Sequence, residues 1–344
     1  MVDPTMRPHG VSSIRWRHRK SFRGHALAAA LGVAVGGSGV LEAQGAVDPN
    51  VVPRVAAMVR EGRRIDATEL LGRYLATAPG DGRAWFHLGR LYLLGARDWH
   101  ATGHIGEPSG SLFLDLSALA LDQALQLQVD SGIVFRGMAD MGRDMISVEF
   151  RGWEAVRDAR PSGDRYRIPD YLLELGANLL GSCPANGVIV TGSDLETLAV
   201  WYAALEAGVR KDVLPLVPKL YATDSVYRNQ MAGSFGVDPA WSVQRALTKV
   251  AEGRPICLTP FAERAAVPLP EWQPMRLVLA SGAHADVPTD VLTVTSLLRE
   301  IRTNGSVWSR SALAIYGRAA KENILLCHGI LAVLGEPLPA TCGR

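Results

Sequence analysis

The 344-residue sequence predicts a mixed fold of α-helical hairpins, a small α/β domain with a mainly parallel sheet, and C-terminal helices. Three observations support this prediction. Apolar residues recur at intervals of three and four between residues 53 and 130, which is the helical period. From residue 171 onward, short apolar strands alternate with helices, as in parallel sheets that helices cover. Between residues 287 and 335 the helical period returns.

These changes of pattern divide the chain into five predicted parts. The parts are an export signal at 1–45, helical repeats at 46–135, a linker with a helix at 136–170, an α/β domain at 171–285 and C-terminal helices at 286–344. The predicted strands are 188–190, 213–217, 255–258 and 275–280. The predicted helices of the last two parts are 171–180, 195–207, 224–232, 241–252, 290–302, 308–321 and 324–334.

The first 45 residues are predicted to be an export signal. A basic stretch at 15–23 precedes an uncharged run at 26–41, and Ala43, Gly45 and Ala46 offer a cleavage position. The run is short and rich in glycine, whereas a membrane span needs ~20 apolar residues. We therefore expect a periplasmic or secreted protein with a cleaved signal. The alternative is an uncleaved signal that anchors the chain in the membrane, facing the periplasm.

The distribution of charge argues against a nucleic-acid partner. Of the 36 basic and 34 acidic residues, six and two lie in the first 45, which leaves 30 and 32 in the rest of the chain. The remainder is therefore slightly acidic. Proteins that bind nucleic acid normally carry a basic excess that neutralises phosphates. We expect no nucleic-acid binding.

Four cysteines allow two disulfides in an exported chain. None of them has the C-x-x-C spacing of a redox or metal motif. We predict the pairs Cys183–Cys257 and Cys327–Cys342, because each pair falls within one predicted structural unit. The alternative is that all four cysteines are free and buried.

The helical region contains one sharp motif. Trp85, Leu88, Gly89 and Tyr92 form the pattern W-x-x-L-G-x-x-Y, which places the large side chains on one helix face. We expect Gly89 to allow a partner helix to approach closely. The motif resembles the first-helix signature of the tetratricopeptide repeat.

That resemblance extends over about residues 50–130, with one strong repeat and two partial ones. Second-helix patterns lie at 67–74 and 121–127. Between them, the glycine-containing stretch 98–111 is predicted to be an insertion that lengthens the hairpin. The resemblance implies a concave surface that binds a peptide or a partner protein. The alternative is that the hairpins only cap the next domain.

Two histidines in the predicted insertion have the spacing of a helical zinc site. His100 and His104 are four residues apart and Asp98 is nearby, but the spacer Ala-Thr-Gly is a poor helix. We therefore predict a solvated loop, with no metal and no cofactor.

The turn after the first predicted strand is the candidate ligand site. Ligands of doubly wound sheets bind beyond the carboxyl ends of strands, at helix N-termini. The candidate residues are Thr191, Ser193, Asp194, Glu196 and Thr197. The alternative is that Ser193 or Asp194 caps the next helix, with Glu196 or Thr197 in its first turn. The turn has no glycine-rich nucleotide motif or catalytic triad spacing, which disfavours an enzyme.

A second resemblance covers about residues 171–280. The stretch from Asn186 to Tyr202, with Glu206 to Val213 and the Tyr-Arg-Asn-Gln string at Tyr227, is similar to bacterial membrane proteins related to protein O-mannosyltransferases. In that family the similar segment is the extracytoplasmic part that follows a multi-span module. The resemblance therefore implies an extracytoplasmic domain without the module assigned to glycosyl transfer.

The sequence thus predicts an exported protein with tetratricopeptide-like repeats that acts by protein–protein interaction or assembly in the cell envelope. Its partner would be a protein. The alternative is a carbohydrate-binding or glycosyltransferase-related accessory protein or enzyme, with its site at the turn 191–197.

Overall fold

The computed structural model describes residues 48–101, 108–159, 168–282, 291–335 and 342, with the backbone alone at 99–101 and 108–109. The predicted export signal lies outside the described residues. His104 and the side chain of His100 also lie outside them, so the prediction made for this pair stays a prediction. Among the helices described, none is both long and apolar enough to cross a membrane.

The described residues up to 159 form six helices. The bounds are α1 Val51–Arg60, α2 Arg64–Thr77, α3 Gly82–Ala101, α4 Pro108–Gln126, α5 Gly132–Arg151 and α6 Trp153–Asp158. Helix α1 packs on α2, and α3 packs along α4, which also contacts α5. The structure therefore confirms that the region predicted as helical repeats consists of helices. Its assignment to the tetratricopeptide family stays a prediction.

The two ends of the predicted insertion at 98–111 are helical, so they lengthen the hairpin as predicted but do not form the solvated loop that was predicted there. Helix α3 continues to Ala101, and α4 already begins at Pro108. Both helices are longer than predicted because their apolar faces continue beyond the motif. Leu93, Ala96 and Leu114 on these faces are buried in the main core.

Gly89 brings α3 and α4 together, as the motif predicts. A Cβ at this position would lie 2.6 Å from Cγ of Leu121 and 3.2 Å from the carbonyl oxygen of Ser117. The Ser117 hydroxyl, which is buried, donates to the carbonyl of Gly89 at 2.9 Å. The absence of a side chain at Gly89 thus sets the distance between the two helices.

Replacing Gly89 by alanine is expected to lower the free energy of unfolding by about 1–3 kcal/mol, because the added methyl overpacks the contact with α4. Gly72, in α2, is the matched control, since nothing lies within 4 Å of a Cβ there. Gly72→Ala should be neutral or stabilising by up to about 1 kcal/mol. Urea denaturation measures both variants, and similar values for the two would contradict the role given to Gly89.

Five short strands of the described chain form one mixed sheet. They are β1 Val188–Val190, β2 Leu214–Leu216, β3 Ile256–Leu258, β4 Gln273–Met275 and β5 Val278–Ser281, in the order β2-β1-β3-β5-β4. Strand β1 is parallel to β2 and β3, with Ile189 opposite Pro215 and Cys257. Strand β5 is antiparallel to β3 and β4. The predicted parallel part is confirmed, and the sheet as a whole is mixed.

The single strand predicted at 275–280 is wrong. The chain reverses there between β4 and β5, and Arg276 takes the left-handed conformation with φ of 52°. The reversal carries no glycine, proline or asparagine at residues 276–277, so its sequence lacks the usual signature of a tight turn.

Helices cover this sheet. They are α7 Asp170–Ser182, α8 Asp194–Leu205, α9 Pro218–Thr223, α10 Ser225–Phe235 and α11 Val243–Val250. Helix α9 was not predicted. Helices α7 and α8 are in close contact, since a Cβ on Gly176 would lie 2.0 Å from the carbonyl oxygen of Ala199. Helix α8 is buried along nearly its whole length, and its N-terminus follows the carboxyl end of β1.

The C-terminal region is helical, as predicted. It comprises α12 Thr295–Thr303, α13 Val307–Glu322, a π-helical turn Cys327–Leu331 and α14 Ala332–Leu334. Residues 291–294, predicted to be helical, precede α12 and are not helix. One main core joins these helices to the sheet and to α5, while the first hairpins have a smaller core of their own.

The predicted disulfide pairing is confirmed. Cys183 at the end of α7 is bonded to Cys257 in β3, with a Cα–Cα distance of 5.8 Å. Cys327 is bonded to Cys342, with a Cα–Cα distance of 5.7 Å. Two disulfides are compatible with an oxidising, extracytoplasmic setting.

Candidate functional site

The turn between β1 and α8 is built around the carboxylate of Glu196, which is completely buried. Its Oε2 accepts hydrogen bonds from the backbone N–H of Gly192 at 3.2 Å and of Ser193 at 2.9 Å, and from the Ser193 hydroxyl at 3.0 Å. Its Oε1 accepts from the backbone N–H of Phe261 at 3.0 Å. We call this arrangement the Glu196 strap, since it joins the turns that follow β1 and β3.

The capping interpretation of this turn is confirmed. Ser193 is the N-cap of α8, and its Oγ accepts from the backbone N–H of Glu196 at 3.3 Å, which completes a capping box. The Thr197 hydroxyl donates to the carbonyl of Ser193 at 2.9 Å and lies 2.7 Å from the Thr191 hydroxyl. Four of the five candidate residues are therefore brought together and bonded to one another.

Asp194, the fifth candidate residue, is apart from this cluster. Its carboxylate is 61 % exposed and forms an ion pair of 2.7 Å with Arg97 on α3. The Asp194 and Glu196 carboxylates therefore have separate partners, one exposed and one buried. The ligand site predicted at residues 191–197 stays a prediction.

Gly192 lets the two turns meet. A Cβ there would lie 2.0 Å from the backbone carbon of Phe261, and its N–H also lies 3.1 Å from Oγ1 of Thr259. The chain runs from β1 to β2 on one side and then to β3 on the other. The crevice between the ends of β1 and β3 is therefore the topological switch point, where open α/β sheets bind ligands. Here a carboxylate of the protein itself fills it.

The electrostatics of Glu196 reflect this position. Burial raises the pKa of its carboxyl, and hydrogen bonds from Phe261, Thr259 and Ser193 oppose the rise. Glu196 thus takes the acceptor role that an anionic ligand would have at a helix N-terminus.

A cavity of about 350 Å³ opens next to the strap, beyond the carboxyl end of β3. We call it the arginine pocket, because Arg264, Arg276 and Arg318 line it. Thr259 and Pro260, which follow β3, form part of its wall. No sequence pattern predicted this cavity, since its arginines at positions 264, 276 and 318 belong to no motif.

The three arginines are held differently. Arg264 forms an ion pair of 2.6 Å with Glu322. The guanidinium of Arg318 lies over the ring of Phe261, 4.7 Å from its centroid. Arg276 is at the reversal between β4 and β5, where its carbonyl accepts from Nδ2 of Asn323 at 3.1 Å.

A larger groove of about 910 Å³ lies on the helical hairpins, along α2, α3 and α4. We call it the hairpin groove. Ile65, 76 % exposed, lines it together with Tyr92 and Phe113, whose ring centroids are 6.4 Å apart. Of the motif residues, Tyr92 lines the groove, Leu88 is buried in the smaller core, and Trp85 donates its indole N–H to the carbonyl of Pro79 at 2.8 Å.

In the part of the chain that the structure describes, no group of three or more histidine, cysteine, aspartate or glutamate side chains is arranged to hold a metal ion. No family model, no curated protein and no solved structure matches this chain. The two family resemblances therefore stay predictions, and the geometry of the strap, the pocket and the groove is the basis for a functional proposal.

Proposed function

We propose that this protein acts by protein–protein interaction in the cell envelope, and that the hairpin groove binds a peptide segment of its partner. The segment carries a large apolar side chain close to a basic one. The exposure of Ile65 beside a concave, partly aromatic surface carries this proposal.

The apolar part of the groove supports an apolar anchor. Ile65 exposes most of its side chain at the start of α2, although α2 buries Ala67, Leu71 and Leu75 in the smaller core. Tyr92 and Phe113 present their rings to the same groove. Exposed large apolar residues next to a concavity are typical of sites that bind protein or peptide.

The charges of the groove support a basic neighbour. Arg63 is paired with Asp66 at 2.8 Å, and Arg64 is paired with Asp98. Among the described residues, no ion pair includes Glu69, which is exposed and also lines the groove. A lysine or arginine of the bound segment would complete the set of charges.

The setting supports a partner outside the cytoplasm. The two disulfides suit an oxidising compartment, and the first 45 residues are predicted to direct export. A carbohydrate site at the turn 191–197 has less support, because the donors there already bind the Glu196 carboxylate.

Selection of random peptides displayed on phage tests the proposal on the purified chain. The enriched peptides are expected to share a large apolar residue with a lysine or arginine nearby. Ile65→Ser should weaken their binding about tenfold or more, the loss typical of an interface anchor. Glu69→Gln should also weaken their binding, since it removes the partner of the basic residue.

Val291, 85 % exposed, provides the matched control, because it is as exposed as Ile65 and lies outside the groove. Val291→Ser should leave peptide affinity unchanged. Enriched peptides that share no pattern, or that bind the Ile65→Ser and Val291→Ser variants equally well, would refute the proposed role of the groove.

A further inference from the structure

We infer that the arginine pocket binds a small anionic ligand through a carboxylate or phosphate group. This inference does not depend on the hairpin groove. It rests on the position of the cavity, on the balance of its charges and on the way its arginines are held in place.

The arginine pocket lies beyond the carboxyl end of β3, at the edge of the sheet where α/β proteins bind ligands. Glu196 closes the crevice between β1 and β3, whereas Thr259 and Pro260 lead from β3 directly into the pocket. A cavity of about 350 Å³ is at the small end of the range for ligand sites, about 300–1,000 Å³. A small molecule or its acidic group fits such a volume.

The charge balance favours an anion. Three arginines line the pocket, together with the two acidic residues Glu263 and Glu322. Arg264 and Glu322 neutralise each other. Within the described residues, no ion pair includes Arg276 or Arg318, and Glu263 alone opposes their two charges. The pocket therefore keeps a surplus of one positive charge.

The side chain of Arg318 and the backbone at Arg276 are held by neighbouring residues. The face of Phe261 supports Arg318, and the backbone N–H of Phe261 is held in turn by Glu196. Arg276 is anchored through its carbonyl by Asn323. The supported guanidinium of Arg318 loses less freedom on binding, and the planar guanidinium of an arginine matches the paired oxygens of carboxylate and phosphate.

Isothermal titration calorimetry of the full chain at low ionic strength tests the inference, with inorganic phosphate and succinate as separate probes. At least one probe is expected to bind saturably, and comparison of the two assigns the preferred acidic group. Arg276→Gln and Arg318→Gln should each weaken binding about tenfold or more, because hydrogen bonds to charged groups are strong. Arg299→Gln should have no effect, since Arg299 is exposed on α12 outside the pocket.

A fourth variant gives a result that loss of folding does not imitate. Glu263→Gln removes the opposing carboxylate and should raise the affinity for the probe, by about twofold or more at low salt. Circular dichroism checks that each variant is folded. The inference is overturned if the unmodified chain binds neither probe, if Arg299→Gln weakens binding as much as Arg318→Gln, or if Glu263→Gln leaves the affinity unchanged.

Discussion

Replacing Cys183 and Cys257 together by alanine is expected to lower the free energy of unfolding by about 4 kcal/mol. This disulfide joins residues 74 apart in sequence, and cross-linking a loop of that length removes much of the freedom of the unfolded chain. Both cysteines are fully buried between α7 and β3, so their loss also affects the packing of the sheet. Guanidinium denaturation under non-reducing conditions measures the change.

The other disulfide provides the control. Cys327 and Cys342 are 15 residues apart, so their replacement by alanine should cost less, about 3 kcal/mol. Treatment of the unmodified chain with a thiol reductant should reproduce both losses. If removal of the Cys183–Cys257 bond costs nothing, the free-cysteine interpretation describes the protein in solution.

Local patterns were sufficient to predict much of the fold. Strand β1 matches its predicted bounds because an apolar run is enclosed by Asn186-Gly187 and by the turn at Gly192. The role of Gly89 was also predictable, since the motif places it on the packed face of α3. These features depend on residues close together in the chain.

The features that were not predicted from the sequence are those formed by contacts between residues far apart in the chain. Residues 276–277 carry no glycine, proline or asparagine that would mark a tight turn, and β5 is paired with β3 as well as with β4. Likewise, the S-x-x-E pattern at Ser193 predicts a helix cap, but the bond from Glu196 to Phe261 spans 65 residues. The arginine pocket is lined by residues from Leu258 to Asn323 that several elements bring together, so sequence patterns alone did not reveal it.

Replacement of Glu196 distinguishes a helix cap from a strap that joins two turns. Replacing Glu196 by alanine leaves the N–H groups of Ser193 and Phe261 without their acceptor, whereas the N–H of Gly192 keeps Oγ1 of Thr259. An unsatisfied buried donor costs about 1–3 kcal/mol. We therefore expect a loss of about 3 kcal/mol or more in the free energy of unfolding, measured by urea denaturation.

A helix cap alone would give a smaller effect, because removal of a capping side chain typically costs about 1 kcal/mol. Asp194→Ala is the matched control, since Asp194 lies in the same helical turn but is exposed. Its ion pair with Arg97 should contribute no more than about 1 kcal/mol. If both variants lower the free energy of unfolding by about 1 kcal/mol, Glu196 acts only as a helix cap. A loss several times larger for Glu196→Ala would mean that this carboxylate holds the ends of β1 and β3 together, and with them the ring of Phe261 that supports Arg318.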